Sequence, residues 1–334
     1  TIMANNLLDK ASIILTPTAY DNGKALCVKP SDGSGDFDFS RNSAATRVNA
    51  QGLVENVQIL SSNLVQNGDF SEQGAEEVSN GSFSQEGIQL ITNGDFSSDT
   101  NWVKQAGWSI SGGTANCDGS QNLPESVYQN GVTVVGKTYK ITYTLVSITS
   151  GTVRAVAGTL GGAFQSTIGT HTEYLTATSN TSIQIQANSS FIGSIDNVSC
   201  VEVGQNWVLG GSGLNTATIA SNSATITSVD GNSYLQQNSV FTSGKSYKIS
   251  YEILSSSGSS VLKMISSLGL ATVPTTVGTH TVYGTATTTT FYIERTSNGM
   301  NATITNISVK EVGQNWAAKD GVIVSANSSG LVFD

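Results

Sequence analysis

Charge is what this chain of 334 residues has least of, because only 12% of it is Asp, Glu, Lys or Arg, about half of what soluble domains usually carry. With 15 Lys and Arg against 24 Asp and Glu, cations are too few to line a groove that follows a phosphate backbone, so nucleic acid is excluded as an expected partner. No apolar run approaches the roughly eighteen residues of a membrane span, and no basic segment followed by an apolar one opens the chain. Neither a membrane location nor ordinary secretion is expected. There are three cysteines, an odd number without metal-ligand spacing, and two histidines, which leaves a disulfide framework or a zinc centre without material. What is abundant is Ser, Thr, Asn, Gln and Gly on a chain that is still 38% hydrophobic, ample for two or three small domains with their own cores.

The chain repeats itself. "GKTYKITYTL" from Gly136 returns as "GKSYKISYEI" from Gly244, and "GTHTEYLTAT" from Gly169 returns as "GTHTVYGTAT" from Gly278. "IDNVSCVEVGQNW" from Ile195 returns as "ITNISVKEVGQNW" from Ile304, 109 residues later. One unit of this length is therefore present twice, and Trp316 opens a third, since "NWAAKDGVIVSANSSG" has the same hairpin-like start as "NWVLGGSGLNTATIASNS". The sequence breaks off inside that unit, to be completed either by further residues or by another chain. A finer repeat lies upstream, with "NGDF" at Asn67, "NGSF" at Asn80 and "NGDF" at Asn93 spaced by thirteen residues. These motifs read as linked turns and strands. The expected organisation is 1–60 as an N-terminal attachment region, 61–87 as a short linker, 88–203 and 204–312 as two complete units, and 313–334 as the start of the third.

The units read as β-structure. Tyr139, Ile141, Tyr143 and Leu145 alternate with polar residues, as do Tyr247, Ile249, Tyr251 and Ile253, the period of a half-buried strand. Short β-branched runs broken by Gly, Asn and Ser recur every eight to twelve residues, which predicts an all-β chain of tandem jelly-roll β-sandwiches. Matching "CDG" with "VDG" sets Cys117 opposite Val229, and the closing strands set Cys200 opposite Val309, so both thiols read as small apolar core groups. His171 and His280 share one place in "GTHT", at a turn entering a strand, where an imidazole bonds backbone. No Ser, Cys or paired carboxylate recurs beside them, and no glycine-rich phosphate loop is present. Aromatic rings remain as the means of holding a ligand, by stacking on the apolar face of a sugar. Trp102, Trp207 and Trp316 head the three units and read as packing anchors. Trp108, matched with Leu214, and Tyr128, Tyr174, Tyr283 and Tyr292 are the candidate platforms.

Two segments resemble known families. "LITNGDFSSDTNW" from Leu90, Gln129 ahead of "GKTYKITY", and the closing "IDNVSCVEV" together resemble the carbohydrate-binding-module jelly rolls of the family 4/9/22 type over about 88–203, and more weakly over 204–312. The resemblance implies a structural calcium in the first unit at Asp95 and Asp196, calcium being an ion that takes six to eight oxygens. In the second unit Thr305 replaces Asp196. No other cofactor is expected. "GDFDFSRNSAATRVNAQGLVENV" from Gly35 resembles a segment near the start of structural proteins of tailed bacteriophages. It contains Arg41 and Arg47, whose planar guanidinium groups suit an interface and are the expected virion-attachment residues.

These readings lead to a non-enzymatic virion protein, a fibre or a capsid decoration, located on the particle. Residues 1–60 would bind other virion proteins, and the jelly rolls would display sites for host surface polysaccharide in a homo-oligomer such as a trimer. The alternative is a secreted bacterial adhesin or the accessory carbohydrate-binding region of a glycan-degrading enzyme.

Overall fold

In a computed structural model the described residues are 71–314, without 180, 259–260 and 296–298, together with 14–21, 24–29, 34, 37–38, 45–48, 51–57, 65–67, 325–327 and 330–332. The chain divides into two compact units, Thr1–Gln66 and Asn67–Asp334. In the smaller, Ile14–Asp21, Lys24–Lys29 and Phe37–Asp38 form a three-stranded antiparallel sheet, and Ala45–Val48 forms a hairpin with Val54–Val57. Arg47 stands opposite Glu55 in that hairpin, whereas Arg41 lies outside the described residues.

The larger unit contains two β-sandwiches, as the period-two pattern predicts. In the first, Gly169–Thr176, Thr138–Ser150, Ile192–Val203, Thr114–Asp118 and Trp108–Ser111 lie side by side, facing a sheet of Leu160–Gly161, Val153–Ala157, Ser182–Ala187, Glu125–Asn130 and Val103–Lys104. The second repeats this with Gly278–Thr285, Ser246–Gly258, Met300–Val312, Ser223–Ser228 and Thr216–Ala220. Its other sheet consists of Leu270–Val273, Leu262–Met264, Phe291–Arg295, Ser233–Gln237 and Val208–Gly211. All strand pairs are antiparallel. Tyr139, Ile141, Tyr143 and Leu145, and their repeats Tyr247, Ile249, Tyr251 and Ile253, point inward and are at most 1% exposed, while Lys140, Thr142 and Thr144 alternate outward. The hairpin entering each sandwich turns through two residues of positive φ, Gly112 and Gly113 in the first, Ser221 and Asn222 in the second. This conformation matches the twist of the flanking strands, and glycine and asparagine adopt it most readily.

The hairpins correct two alignments. Ala115 and Ala224 stand opposite Ile195 and Ile304 in the equivalent closing strands, so the structural counterpart of Cys117 is Ile226, not Val229, and that of Trp108 is Ala217, not Leu214. Val229 and Leu214 are exposed. Cys200 and Val309 do correspond, opposite Ile141 and Ile249. Both Cys117 and Cys200 are buried free thiols.

A larger correction concerns the residues expected to be a linker. Strand Gln73–Glu76 pairs with Met300–Val312 of the second sandwich, Gln73 opposite Val312 and Glu76 opposite Lys310. Thirteen residues later Glu86–Gln89 pairs with Ile192–Val203 of the first in the same way. Val78 and Phe83 belong to the core of the second sandwich, and Ile91 and Phe96 to that of the first. The first sandwich, 85–203, is thus inserted between two pieces of the second, 71–84 and 204–313.

The turns that start each sandwich show why the short motif recurs. Asn80 and Phe83 both have positive φ, as do Asn93 and Phe96, and the Phe amide donates back to the Asn carbonyl at 3.1 and 3.2 Å. The Asn side-chain oxygen accepts the amide of the residue five positions on, and the Asn carbonyl takes the indole N–H of Trp207 or Trp102 at 3.0 or 2.8 Å. The Phe ring then packs on that indole, at 5.1 Å for Phe83 and Trp207 and 5.0 Å for Phe96 and Trp102. A left-handed phenylalanine costs about 1–3 kcal/mol, which the buried ring pair offsets. Gly81 and Gly94 are required between them, because a Cβ would meet the carbonyls of Ile307 and Val198, and their own carbonyls accept the amides of those same residues.

Candidate functional site

The inward residues of the five-stranded sheets are consumed by the core, which leaves the alternate residues to form an outer face. In the second sandwich the outward positions on Ser233–Gln237 are Tyr234 and Gln236, and on Phe291–Arg295 they are Tyr292 and Glu294. Tyr234 stands opposite Glu294, and Gln236 opposite Tyr292, so the two rings are diagonal neighbours, 5.9 Å apart and inclined at 65°. The ring of Tyr234 lies across Gly210 on the adjoining strand, where any Cβ would collide with it. Glu294 accepts the Ser266 amide at 2.8 Å, which ties the sheet to the one-turn helix Ile265–Leu268. Lys263 is the cross-strand neighbour of Glu294.

Tyr234, Gln236, Tyr292 and Glu294 line an open groove of about 390 Å³, flanked by Asn232, Ser266 and Thr288. Half-buried rings beside amide, hydroxyl and carboxylate groups present stacking surfaces and oriented hydrogen-bond partners, the pairing that a sugar with one apolar face and a rim of hydroxyls requires. Arg295, at the end of the same strand, points inward and donates to the Val261 carbonyl at 2.9 Å.

The equivalent face of the first sandwich is furnished differently. Tyr128 stands opposite Gln184, and Arg154 opposite Gln186. The Arg154 guanidinium donates twice to the Gln186 side-chain oxygen, at 2.9 and 2.7 Å, and lies 4.5 Å above the ring of Phe164. Ser126 occupies the place of Tyr234 and is buried, its amide held by the Gln105 side chain at 2.6 Å.

The five candidate rings therefore do not form one site. Tyr128 and Tyr292 lie on the outer faces of different sandwiches. Trp108 is 6% exposed, packs near Phe191 and gives its indole N–H to the Glu125 carbonyl, so it is a core residue with no face to offer. Tyr174 and Tyr283 hold equivalent places on the edge strands of the six-stranded sheets, opposite Lys140 and Lys248. Tyr174 packs against the core of the second sandwich, where it joins the two sandwiches, and burial raises the Tyr283 hydroxyl above its ordinary pKa. Tyr234, which the sequence reading missed, completes the groove. Its signal was the alternation in "SYLQQ", which places Tyr234 and Gln236 on one side of their strand.

The histidines have structural partners. His171 and His280 donate from Nε2 to the carbonyls of Thr167 and Thr276 at 2.7 and 2.6 Å, each beside the ring of Tyr143 or Tyr251. Asp95 accepts from the amide and hydroxyl of Ser97, and Asp196 from the amide of Asn197 at 2.6 Å. Among the described residues no three His, Cys, Asp or Glu side chains gather as a metal site. A calcium at Asp95 and Asp196 would thus take most of its six to eight oxygens from backbone and water. No described helix is long and apolar enough to cross a membrane.

No protein-family model matches the sequence, and no curated protein matches it. Among solved structures, the N-terminal CBM22-1-CBM22-2 tandem domain of Paenibacillus barcinonensis Xyn10C is similar over 69% of this chain and 98% of its own, at 11% identity and a TM-score of 0.31. An oxalate decarboxylase is matched over 65% of this chain and 77% of its own, at 6% identity and a TM-score of 0.10.

Proposed function

We propose that this protein is a non-catalytic display protein that binds surface polysaccharide through the outer face of its second sandwich. The observation that carries the reading is the diagonal pair Tyr234 and Tyr292, set beside Gln236 and Glu294 in an open groove. Ring stacking would supply most of the energy, and the amide and carboxylate would orient the sugar hydroxyls. One such groove binds weakly, so useful adhesion would come from several copies in a homo-oligomer, through a raised effective concentration. Retention of the full chain in native gels cast with bacterial surface polysaccharides tests this. Slowed migration that Tyr234→Ala and Tyr292→Ala each restore is the expected result. Equal migration of all three proteins in every polysaccharide tried would overturn it.

The string from Gly35 to Val57, similar to segments near the start of tailed-phage structural proteins, supports placing this display on a virion, with residues 1–60 as the attachment region. Arg47 stands opposite Glu55 in the backbone register of its hairpin. Antibodies against residues 204–312 should decorate purified phage particles, and deletion of 1–60 should abolish incorporation. Labelling of a bacterial surface in the absence of phage would favour the adhesin instead.

A further inference from the structure

The two sandwiches use the short motifs in reverse order. The turn at Asn93 closes the sandwich whose body comes first, and the turn at Asn80 closes the one whose body comes second. A third turn, at Asn67, precedes both, and a third Trp, at 316, follows both.

The described surroundings of Asn67 match those of Asn80. Asn67 has φ 48°, beside 53° at Asn80, and is 6% exposed, beside 7%. Its side-chain oxygen accepts the Glu72 amide at 3.0 Å, as that of Asn80 accepts the Gln85 amide at 3.1 Å. Its side-chain amide donates to the Gln314 carbonyl at 3.4 Å, as that of Asn80 donates to the Gln205 carbonyl at 3.4 Å. Gln205 and Gln314 hold the same position in the two copies of "EVGQNW", and their side-chain amides crowd Gly87 and Gly74 alike. The junction that leads from the first sandwich into the second is thus rebuilt, 109 residues on, after the second.

The backbone beyond it continues the pattern. Ser325–Asn327 and Gly330–Val332 form an antiparallel hairpin. It starts nine residues after Trp316, as Thr216–Ala220 starts nine residues after Trp207. Ser325–Asn327 lies beside the edge strand Gly278–Thr285, just as Thr216–Ala220 lies beside Gly169–Thr176.

We propose that Asn67 and the hairpin of Ser325–Asn327 and Gly330–Val332 belong to the two pieces of a third sandwich that encloses the second as the second encloses the first. By sequence position the equivalents of Phe83 and Trp207 are then Phe70 and Trp316, which lie outside the described residues. The array is nested, with each thirteen-residue step before Asn93 adding an outer sandwich after Val203. Its innermost member, 85–203, joins the rest through two adjacent connections.

The full chain labelled with 5-fluorotryptophan gives four ¹⁹F lines, one per tryptophan, assigned by single Trp→Phe substitutions. The Trp316 line should be shielded from solvent, with a small H₂O/D₂O isotope shift, and Phe70→Leu should move it while leaving Trp102, Trp108 and Trp207 in place. Phe83→Leu provides the calibration by moving Trp207. Asn67→Ala, which keeps the ring pair, should move Trp316 by less. A fully solvent-exposed Trp316 line that Phe70→Leu does not move would overturn the nesting. So would a Phe70→Leu shift that mixing with unlabelled wild type reverses, because closure would then be between chains.

Discussion

The two sandwiches agree where they are closed and differ where they face outward. The closing turn is the same to within a few tenths of an ångström, with Phe83 on Trp207 and Phe96 on Trp102 at the same 39° inclination. Ion pairs of 2.9 and 3.0 Å join Lys137 to Glu202 and Lys245 to Glu311. On the outer face, by contrast, Tyr234, Gln236, Tyr292, Glu294 and Lys263 stand where the first sandwich has Ser126, Tyr128, Gln184, Gln186 and Arg154. The contrast separates what holds the repeat together from what distinguishes its members. The closing turn is constrained by a left-handed backbone and a glycine against a carbonyl, whereas the outer face bears little of the core's packing and is free to take on different ligands.

The sharpest way to break the comparison is to separate the second sandwich from its upstream piece. A fragment of residues 204–313 lacks strand Gln73–Glu76 and the Phe83 ring, and it should not fold cooperatively. The same fragment preceded by 71–84 through a short linker in place of 85–203 should do so, as read by thermal denaturation with Trp207 fluorescence. Cooperative folding of 204–313 alone would show that the inserted arrangement is dispensable. Next in size, Phe83→Ala in the full chain should cost about 3–5 kcal/mol, the usual loss for a buried aromatic ring. The loss should appear in the transition of the second sandwich, not in that of the first, from which Phe83 is separated by only a few residues. Phe96→Ala should do the reverse, with limited proteolysis and peptide mapping assigning each transition.

On the outer faces the expected effects are smaller and concern binding. Tyr234→Ala and Tyr292→Ala should each weaken retention by polysaccharide with little change in melting temperature, since both rings are half exposed. Tyr128→Ala should weaken it less. Trp108→Ala should lower the stability of the first sandwich, because it empties a buried site next to Phe191. Retention lost on Tyr128→Ala but kept on Tyr234→Ala would move the site to the first sandwich.

How much of this was legible beforehand depended on the distance between partners. Alternation within a strand is a local signal, so the two cores could be read from Tyr139 to Leu145 and Tyr247 to Ile253. The insertion could not, because Phe83 meets a tryptophan 124 residues away while Phe96 meets one only six away, and nothing local distinguishes the two turns. The count did contain a clue, in three short motifs for the three tryptophans, Trp102, Trp207 and Trp316, that follow "N" at the head of each unit. Tyr234 was missed for a related reason, since comparing the repeats favours positions that recur and its counterpart is a serine. Trp108 was misread because its indole finds a backbone carbonyl inside the core, a partner that sequence does not display.

The smallest expected effect lies at the thiols. Cys200 faces Ile141, its thiol without a hydrogen-bond partner among the described residues, where the second sandwich has Val309 facing Ile249. Cys200→Val should therefore change stability by less than about 1.5 kcal/mol near neutral pH, as a swap of nearly equal volume. Cys117→Val should cost somewhat more, because the Cys117 thiol donates to the Gln121 side-chain oxygen at 3.3 Å, and its removal leaves a buried acceptor unpaired. The pH dependence sharpens the first case. Burial pushes the Cys200 thiol from its ordinary 9.0 up to about 12, so the folded state retains a proton that the unfolded chain releases. The stability associated with that proton is fully present below pH 9 and falls as pH rises from about 9 towards about 12. Wild type and Cys200→Val should then unfold alike at pH 7 and diverge above pH 9, with the wild type losing stability relative to the variant. Parallel curves from pH 7 to 11 in chemical denaturation would mean that the thiol is reached by solvent in the folded protein, and that its site is less closed than that of Val309.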